Sequence, residues 1–331
     1  MRKIAAALIG ALMLIAAPAP AAAQDAVTLE RALSWAQRQQ ALSARLLAAL
    51  DGMPEMPADL PESARAAWSR DARQWAERFR AEADAIRIEA RALQTLPQGL
   101  PPNLESVYGL QRDSFNEMLD GMDAFAARYA ASLSALEEGD YDAAVNFAIA
   151  GVDGMLLLVR VLRDTNFAQA DAISANNPQR NYLRSIGHSY DAMLAVSEAT
   201  RAQLMGGGES NAAIAARVAA ASLAMRGQIA LGRSNAQGMA RDLGDGSRFT
   251  PAEQPIARRV AAALETFDGS FDREMEIVSI LDGIAALLRG NASYRAVEPE
   301  IDALSERLWL LDTARGEDIA RRVRMMQAPP T

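Results

Sequence analysis

Residues 68–93 read WSRDARQWAERFRAEADAIRIEARAL, and this stretch decides the fold class. Its apolar residues recur at steps of four or three, at Trp68, Ala72, Trp75, Phe79, Ala83, Ile86, Ala90 and Leu93. That spacing places them on one face of an α-helix, because a half-buried strand would instead alternate polar and apolar residues. Oppositely charged residues lie four apart on the remaining surface, as in the pair Arg73–Glu77, which supports an exposed helical face. The stretch therefore predicts a long amphipathic helix.

The same helical spacing continues along nearly the whole chain after residue 26. Proline and glycine breaks at 97–102 and 206–208 separate helices, and a polar crossing is expected at 166–177. Asn177 is predicted to cap the next helix, with Pro178 as its first residue, and Ser210 is predicted to precede the helix after that. Residues 250–253 form a capping box, which predicts the start of one helix that continues to about residue 288. The fold class is all-α, with about eight long amphipathic helices. Short connections make neighbouring helices antiparallel.

The predicted helices fall into two sets of similar order, which indicates two consecutive four-helix bundles. We place the first bundle at 24–166 and the second at 167–331. Short similarities between the two halves, such as 114–116 with 270–272, suggest duplication of one unit. A single continuous helical domain is the open alternative.

Residues 1–23 have the pattern of a secretory signal peptide. Arg2 and Lys3 precede an apolar run of 14 residues at 4–17, and three alanines at 21–23 offer a cleavage site before Gln24. The run is too short to span a bilayer comfortably. We expect cleavage and export to the periplasm, with an uncleaved anchor helix and an extracellular destination as alternatives.

The composition excludes several classes of site. The chain has no Cys and one His, so thiolate nucleophiles, Cys-ligated metals and two-His metal sites cannot form within it. Loss of the leader would leave 32 Arg, no Lys and 42 Asp and Glu, which changes the net charge from −8 to −10. Because nucleic-acid binding depends on neutralising phosphates, we expect no nucleic-acid partner. We also expect no cofactor, no metal and no stable membrane insertion of the mature chain.

Aromatic residues on two helical stripes are candidates to line a ligand cavity between helices. They are Trp68, Trp75, Phe79, Phe115, Phe125 and Tyr129. The same spacing is typical of an ordinary helical core, so both interpretations stay open.

A polar cluster at Arg180, Tyr182, Arg184 and His188 has the side chains that an all-α polysaccharide lyase would use. Such an enzyme needs Arg to neutralise a carboxylate and His or Tyr to move a proton. On a helix, however, His188 lies opposite the apolar stripe, with Arg184 and Asp191 beside it. This placement favours a solvated face with a weak ion pair.

The scarcity of reactive side chains favours a non-catalytic protein. We predict a periplasmic helical interaction or scaffold protein, whose wide Ala, Leu and Met faces suit coiled-coil packing with a protein partner or with itself. A periplasmic small-ligand-binding or sensory bundle is the first alternative, and a lyase-like enzyme is the second.

Overall fold

The structure is a computed structural model. It describes residues 24–51, 53–54, 62–100, 102–137, 142–245, 249–251, 254–291, 294–308, 310–311 and 315. The predicted signal peptide at 1–23 lies outside the described residues.

The described residues form eight α-helices and no strand, which confirms the all-α prediction. The helices are α1 (Gln24–Asp51), α2 (Glu62–Ala90), α3 (Pro102–Glu137), α4 (Asp142–Asp171), α5 (Pro178–Leu204), α6 (Asn211–Gly244), α7 (Gln254–Glu265) and α8 (Phe267–Gly290). Short 3₁₀ turns cover Arg91–Leu93 and Tyr294–Ala296. Residues 298–308, 310–311 and 315 are also helical and are called the C-terminal segment below.

Two helix starts follow the predicted capping chemistry. The side chain of Asn177 accepts a hydrogen bond from the backbone N–H of Gln179 at 2.9 Å, and Pro178 is the first residue of α5. Proline suits that position because the first helical N–H has no partner within the helix. Ser210 accepts a hydrogen bond from the N–H of Ala213 and begins α6 in the same way.

Two helix boundaries differ from the sequence prediction. Helix α4 continues to Asp171 through the expected polar crossing, because Asn166 is buried and its amide donates to the carbonyl of Leu162 at 2.8 Å. The helix predicted to run from 250 to about 288 is divided into α7 and α8 at Thr266. At this point the backbone N–H of Thr266 donates to the carbonyl of Ala263 at 3.2 Å, which is a 3₁₀-type bond to residue i−3 in place of the α-helical bond to residue i−4.

By their contacts the described residues form two compact units. Unit 1 combines residues up to Val161 with Leu194–Glu209, and unit 2 combines Leu162–Met193 with the residues from Ser210 onward. Helices α4 and α5 therefore each contribute to both units. The bundle arrangement and the boundary at residue 166 stay predictions, and contacts assign 194–209 to the first unit.

The core of unit 1 is built where α2 packs against α1 and α3. The indole N–H of Trp35 donates to the carbonyl of Leu93 at 3.1 Å, and that of Trp75 donates to the carbonyl of Ala49 at 3.0 Å. The buried amide of Gln39 donates to the carbonyl of Gln111 at 2.9 Å. Each indole buries a large apolar surface while keeping its one donor satisfied.

The core of unit 2 is built where α6 packs against α7 and α8. Tyr182 is fully buried, with its ring edge-on to Phe267 and Phe271 at centroid distances of 6.0 and 5.9 Å. Gly232 on α6 meets the same ring of Phe271, and a Cβ atom at this glycine would overlap the ring. The absence of a side chain at position 232 thus allows α6 and α8 to approach closely.

A buried ion pair fastens the C-terminal segment within unit 2. Arg315 donates to both carboxylate oxygens of Glu274, each at 2.6 Å, and the two side chains are 2% and 0% exposed. Arg315 also donates to the hydroxyl of Ser189 at 3.2 Å, and the hydroxyl of Ser185 donates to Glu274 at 3.3 Å. The two charges can be buried because these hydrogen bonds replace the bonds to water that each group loses on folding.

Candidate functional site

Most of the predicted cavity aromatics pack on one another. Trp75 stacks on Phe79 at 5.2 Å, and Tyr129 meets Trp75 edge-on at 4.8 Å. Phe125 lies against all three rings, at 5.9 to 6.5 Å. These four rings and Phe115 are buried core, whereas Trp68 is half-buried. Phe125 alone of the six also lines a cleft in unit 1.

The predicted polar cluster separates into different environments in unit 2. Arg180 and Arg184 approach Asp171, with N–O distances of 3.6 and 2.5 Å. Tyr182 lies in the aromatic core. The structure therefore does not bring the hydroxyl of Tyr182 and the two guanidinium groups to one open surface.

His188 is more covered than the sequence predicted. Its side chain is 23% exposed, and its ring meets Phe167 edge-on at 5.0 Å. The predicted interaction with Asp191 is present, at 3.2 Å from His188 Nδ1. The α4 residue Phe167 covers the face that the pattern of α5 alone assigned to solvent.

The cleft lies between α3, the middle of α4 and the C-terminal part of α5, and its volume is about 470 Å³. We call it the arginine cleft. Its charged lining residues are Arg128, Asp153, Arg160, Glu198 and Arg201. Its other lining residues are Gly121, Ala124, Phe125, Ala150, Gly154, Leu156, Leu157 and Ala202. Nothing in the sequence indicated it, because the five charges come from three helices between positions 128 and 201.

Two glycines shape the wall of the arginine cleft. A Cβ atom at Gly121 on α3 would overlap Leu157 on α4. A Cβ atom at Gly154 on α4 would lie 2.7 Å from the ring of Phe125 on α3. The two glycines therefore let α3 and α4 pack backbone against side chain. Leu157 and Phe125 are thereby held where they line the cleft.

The charges of the arginine cleft form two linked sets. Asp153 accepts a hydrogen bond from Arg201 Nε at 2.5 Å and one from Arg128 Nη1 at 3.1 Å. Arg160 Nη2 donates to Glu198 at 2.9 Å. The contact with Asp153 raises the pKa of Arg201 above its already high ordinary value, so this side chain stays charged. With three cations and two anions, the cleft carries one excess positive charge.

No three Asp, Glu or His side chains in the described part of the chain lie close enough to hold one ion.

Helix α6 is apolar on two opposite faces. Its buried face packs in unit 2 and includes Ile214, Val218, Met225 and Ile229. Its opposite face is exposed and consists of Ala212, Ala216, Ala220, Leu223, Gly227, Ala230, Leu231 and Ser234. We call this second set the exposed α6 face. Leu223 and Leu231 are 69% and 56% exposed.

By length and composition α6 is apolar enough to cross a membrane, although 39% of its most apolar stretch of 18 residues is buried within the protein. The buried face explains part of this hydropathy, because a core helix of a water-soluble protein passes the same test. The expectation that the mature chain does not insert into a membrane stays a prediction.

Comparisons of the chain with protein-family models, with curated proteins and with solved structures gave no match. A function must therefore be inferred from the geometry of the chain itself.

Proposed function

We propose that this chain is a non-catalytic interaction protein that pairs with a second copy of itself through the exposed α6 face. The observation that carries the proposal is the uncharged apolar stripe on α6, opposite the helix's core-packing face. An exposed apolar stripe on a helix whose opposite face is already buried is typical of an interaction surface. The chain has no thiol nucleophile and a single imidazole, with no Cys and one His, and this supports a binding role over a catalytic one.

The spacing of the exposed α6 face suits helix pairing. Positions 216, 220, 223, 227, 230 and 234 follow alternating steps of four and three, which is the seam of a two-stranded coiled coil. From 212 to 234 the face is about 33 Å long at 1.5 Å per residue. Its alanines and Gly227 allow close approach of two backbones. Leu223 and Leu231 supply protruding side chains that a second copy's small residues can accept.

Two arginines beside the exposed α6 face are neutralised within the chain, which removes a repulsion between two copies. Arg226 pairs with Asp282, and Arg233 lies 2.5 Å from Asp272, so both guanidinium groups are neutralised by carboxylates of α8. Two identical surfaces with unpaired arginines would repel each other. With these pairs formed, two copies can bring the same uncharged stripe together around a two-fold axis.

We place this association in the periplasm, because residues 1–23 have the charged start, short apolar run and small-residue end of a signal peptide. Protein for the experiment below is therefore taken from the periplasmic fraction of an expressing bacterium. N-terminal sequencing of that protein is expected to begin at Gln24.

Sedimentation equilibrium of this protein between 1 and 200 μM is the direct test, and we expect a reversible monomer–dimer equilibrium. Leu223→Glu and Gly227→Glu are each expected to weaken dimerisation at least tenfold, because they place charge in the seam. A Cβ atom at Gly227 meets no atom within 4 Å, so the second change disturbs no packing within the chain. Circular dichroism checks that both variants keep their helical content.

The matched control is Ile88→Glu, which removes another exposed apolar side chain, 61% exposed, from α2. It is expected to leave the dimer unchanged. A chain that stays monomeric over the whole range would overturn the proposal. So would the appearance of wild-type protein, but not Leu223→Glu, in the pellet with phospholipid vesicles, since the face would then bind lipid.

A further inference from the structure

We infer that the arginine cleft of unit 1 binds a small amphipathic anion, such as a carboxylate with an apolar tail. This site is separate from the exposed α6 face and does not depend on self-association. Its walls combine three guanidinium groups with an aromatic ring and two leucines. Polar and apolar atoms share this lining about equally, so the cleft offers both donors for a charged head and a surface for an apolar tail.

The charge of the arginine cleft selects the sign of the ligand. Asp153 is bonded to Arg128 and Arg201, and Glu198 to Arg160, which leaves one positive charge in excess. Each guanidinium has five N–H donors in a planar fork, and these contacts use one donor of each arginine. One carboxylate would neutralise the excess and accept hydrogen bonds from donors that do not face Asp153 or Glu198.

The solvent exposure of the arginines keeps such donors accessible. Arg128 and Arg160 have 61% and 51% of their side-chain surface exposed, and Arg201 has 37%. Asp153 is only 21% exposed, so the anionic partner lies deeper than the cations that it positions. An incoming anion therefore meets the guanidinium groups before it reaches Asp153.

The apolar lining sets the shape of the ligand. Phe125, Ala150 and Leu156 are buried, and each borders the cleft. A volume of about 470 Å³ lies within the usual range for sites that enclose a small organic molecule, roughly 300–1,000 Å³. The apolar tail would lie against Phe125 and the leucines, with the anionic head toward the three arginines.

Titration calorimetry with decanoate below its micellar concentration tests the inference. We expect saturable binding with one site per chain. Decanol has the same tail without a charge, and decyltrimethylammonium has a similar tail with the opposite charge. Both are expected to bind at least tenfold more weakly than decanoate.

Variants locate the binding in the cleft. Arg160→Gln and Arg128→Gln are each expected to raise the dissociation constant for decanoate five- to twentyfold. Ala124→Trp fills the cleft with a side chain, removes no charge, and is expected to abolish binding. Arg226→Gln removes an ion-paired arginine of unit 2 and serves as the matched control, with unchanged affinity expected.

Equal affinities for decanoate and decanol would overturn the inference, because the arginines would then play no part in binding. Undiminished binding to Ala124→Trp would also overturn it, since the ligand would lie elsewhere. Leu223→Glu carries an intact cleft and is expected to bind decanoate with wild-type affinity. A failure of the self-association proposal is therefore distinguishable from a failure of this one.

Discussion

Among single substitutions, we expect the largest effect on stability from those that break the buried pair of Glu274 and Arg315. Removing one partner leaves the other charge in the core without its counterion, which costs about 3–5 kcal/mol in comparable buried pairs. We expect Glu274→Gln to lower the free energy of unfolding by about that amount, measured by urea denaturation and circular dichroism.

Two further variants separate burial from ion pairing. Arg307→Gln removes a partner of the exposed pair Arg307–Glu276, and we expect a loss of less than about 1 kcal/mol. The double variant Glu274→Leu with Arg315→Met replaces the buried pair by apolar side chains, and it should recover most of the loss seen for Glu274→Gln. If the double variant is no more stable than Glu274→Gln, the attraction between Glu274 and Arg315 is itself the source of the stability. The loss in Glu274→Gln would then not come from leaving Arg315 buried without a counterion.

Residue by residue, the sequence was informative about the core and uninformative about these charges. Trp75, Phe79 and Ile86 lie on the predicted apolar stripe of α2, Leu93 follows in the 3₁₀ turn, and all four are buried. Arg315 is also buried, but a charged residue in a helical pattern predicts an exposed position unless its partner is known. That partner is 41 residues away, and no local spacing connects the two.

Within α6, we expect the same substitution to have opposite effects on stability at two different glycines. A Cβ atom at Gly232 would overlap the buried ring of Phe271, whereas one at Gly238 meets no atom within 4 Å. We expect Gly232→Ala to destabilise the protein by about 1–3 kcal/mol through overpacking. Gly238→Ala should stabilise it by about 0.5–1 kcal/mol, because alanine loses less backbone entropy than glycine in a helix.

Thermal or urea unfolding of the two variants in parallel measures this contrast. Because both changes add the same methyl group to one helix, helix propensity cancels in the comparison. Equal effects of the two substitutions would mean that Phe271 yields freely and that the close packing of α6 on α8 contributes little.

At the scale of helices, capping residues were better predictors than apolar spacing. Ser210 and Asn177 marked their helix starts correctly because the local bond that they accept forms in the structure. The polar crossing predicted to begin at Asn166 is wrong at this residue, because Asn166 lies within α4. Buried inside unit 2, it bonds to its own helix instead. The arginine cleft could not be predicted from the sequence for a related reason. Helical spacing indicates which residues share a face of a helix, but it does not indicate which helices lie against that face.

For the whole molecule, the contribution of residues 194–209 to unit 1 predicts how fragments behave. A fragment of residues 24–209 contains all of unit 1, whereas a fragment of 24–166 lacks Leu194–Glu209. The shorter fragment also loses the partners of Asp153 and Arg160 on α5. We therefore expect its unit 1 to unfold at a clearly lower urea concentration.

Tryptophan fluorescence reports this difference directly, because Trp35, Trp68 and Trp75 all lie in unit 1 and occur in both fragments. The longer fragment should show a blue-shifted emission and a steep transition. Identical midpoints for the two fragments would favour the sequence-based boundary at residue 166. The helix content follows from the sequence alone. The packing partners of helices far apart in the chain do not, because many helices carry similar apolar stripes and the stripes do not identify which helices pack together.

The two apolar faces of α6 have a consequence for how that helix chooses its orientation. Polarity cannot decide which face turns inward, because neither face carries a charge along its centre. Side-chain volume decides instead: Ile214, Val218, Met225 and Ile229 fill the core. A helix rotated by half a turn would bury mostly alanine and glycine and leave voids, which lose dispersion contacts. The rotational setting of α6 is thus specified by the size of its side chains.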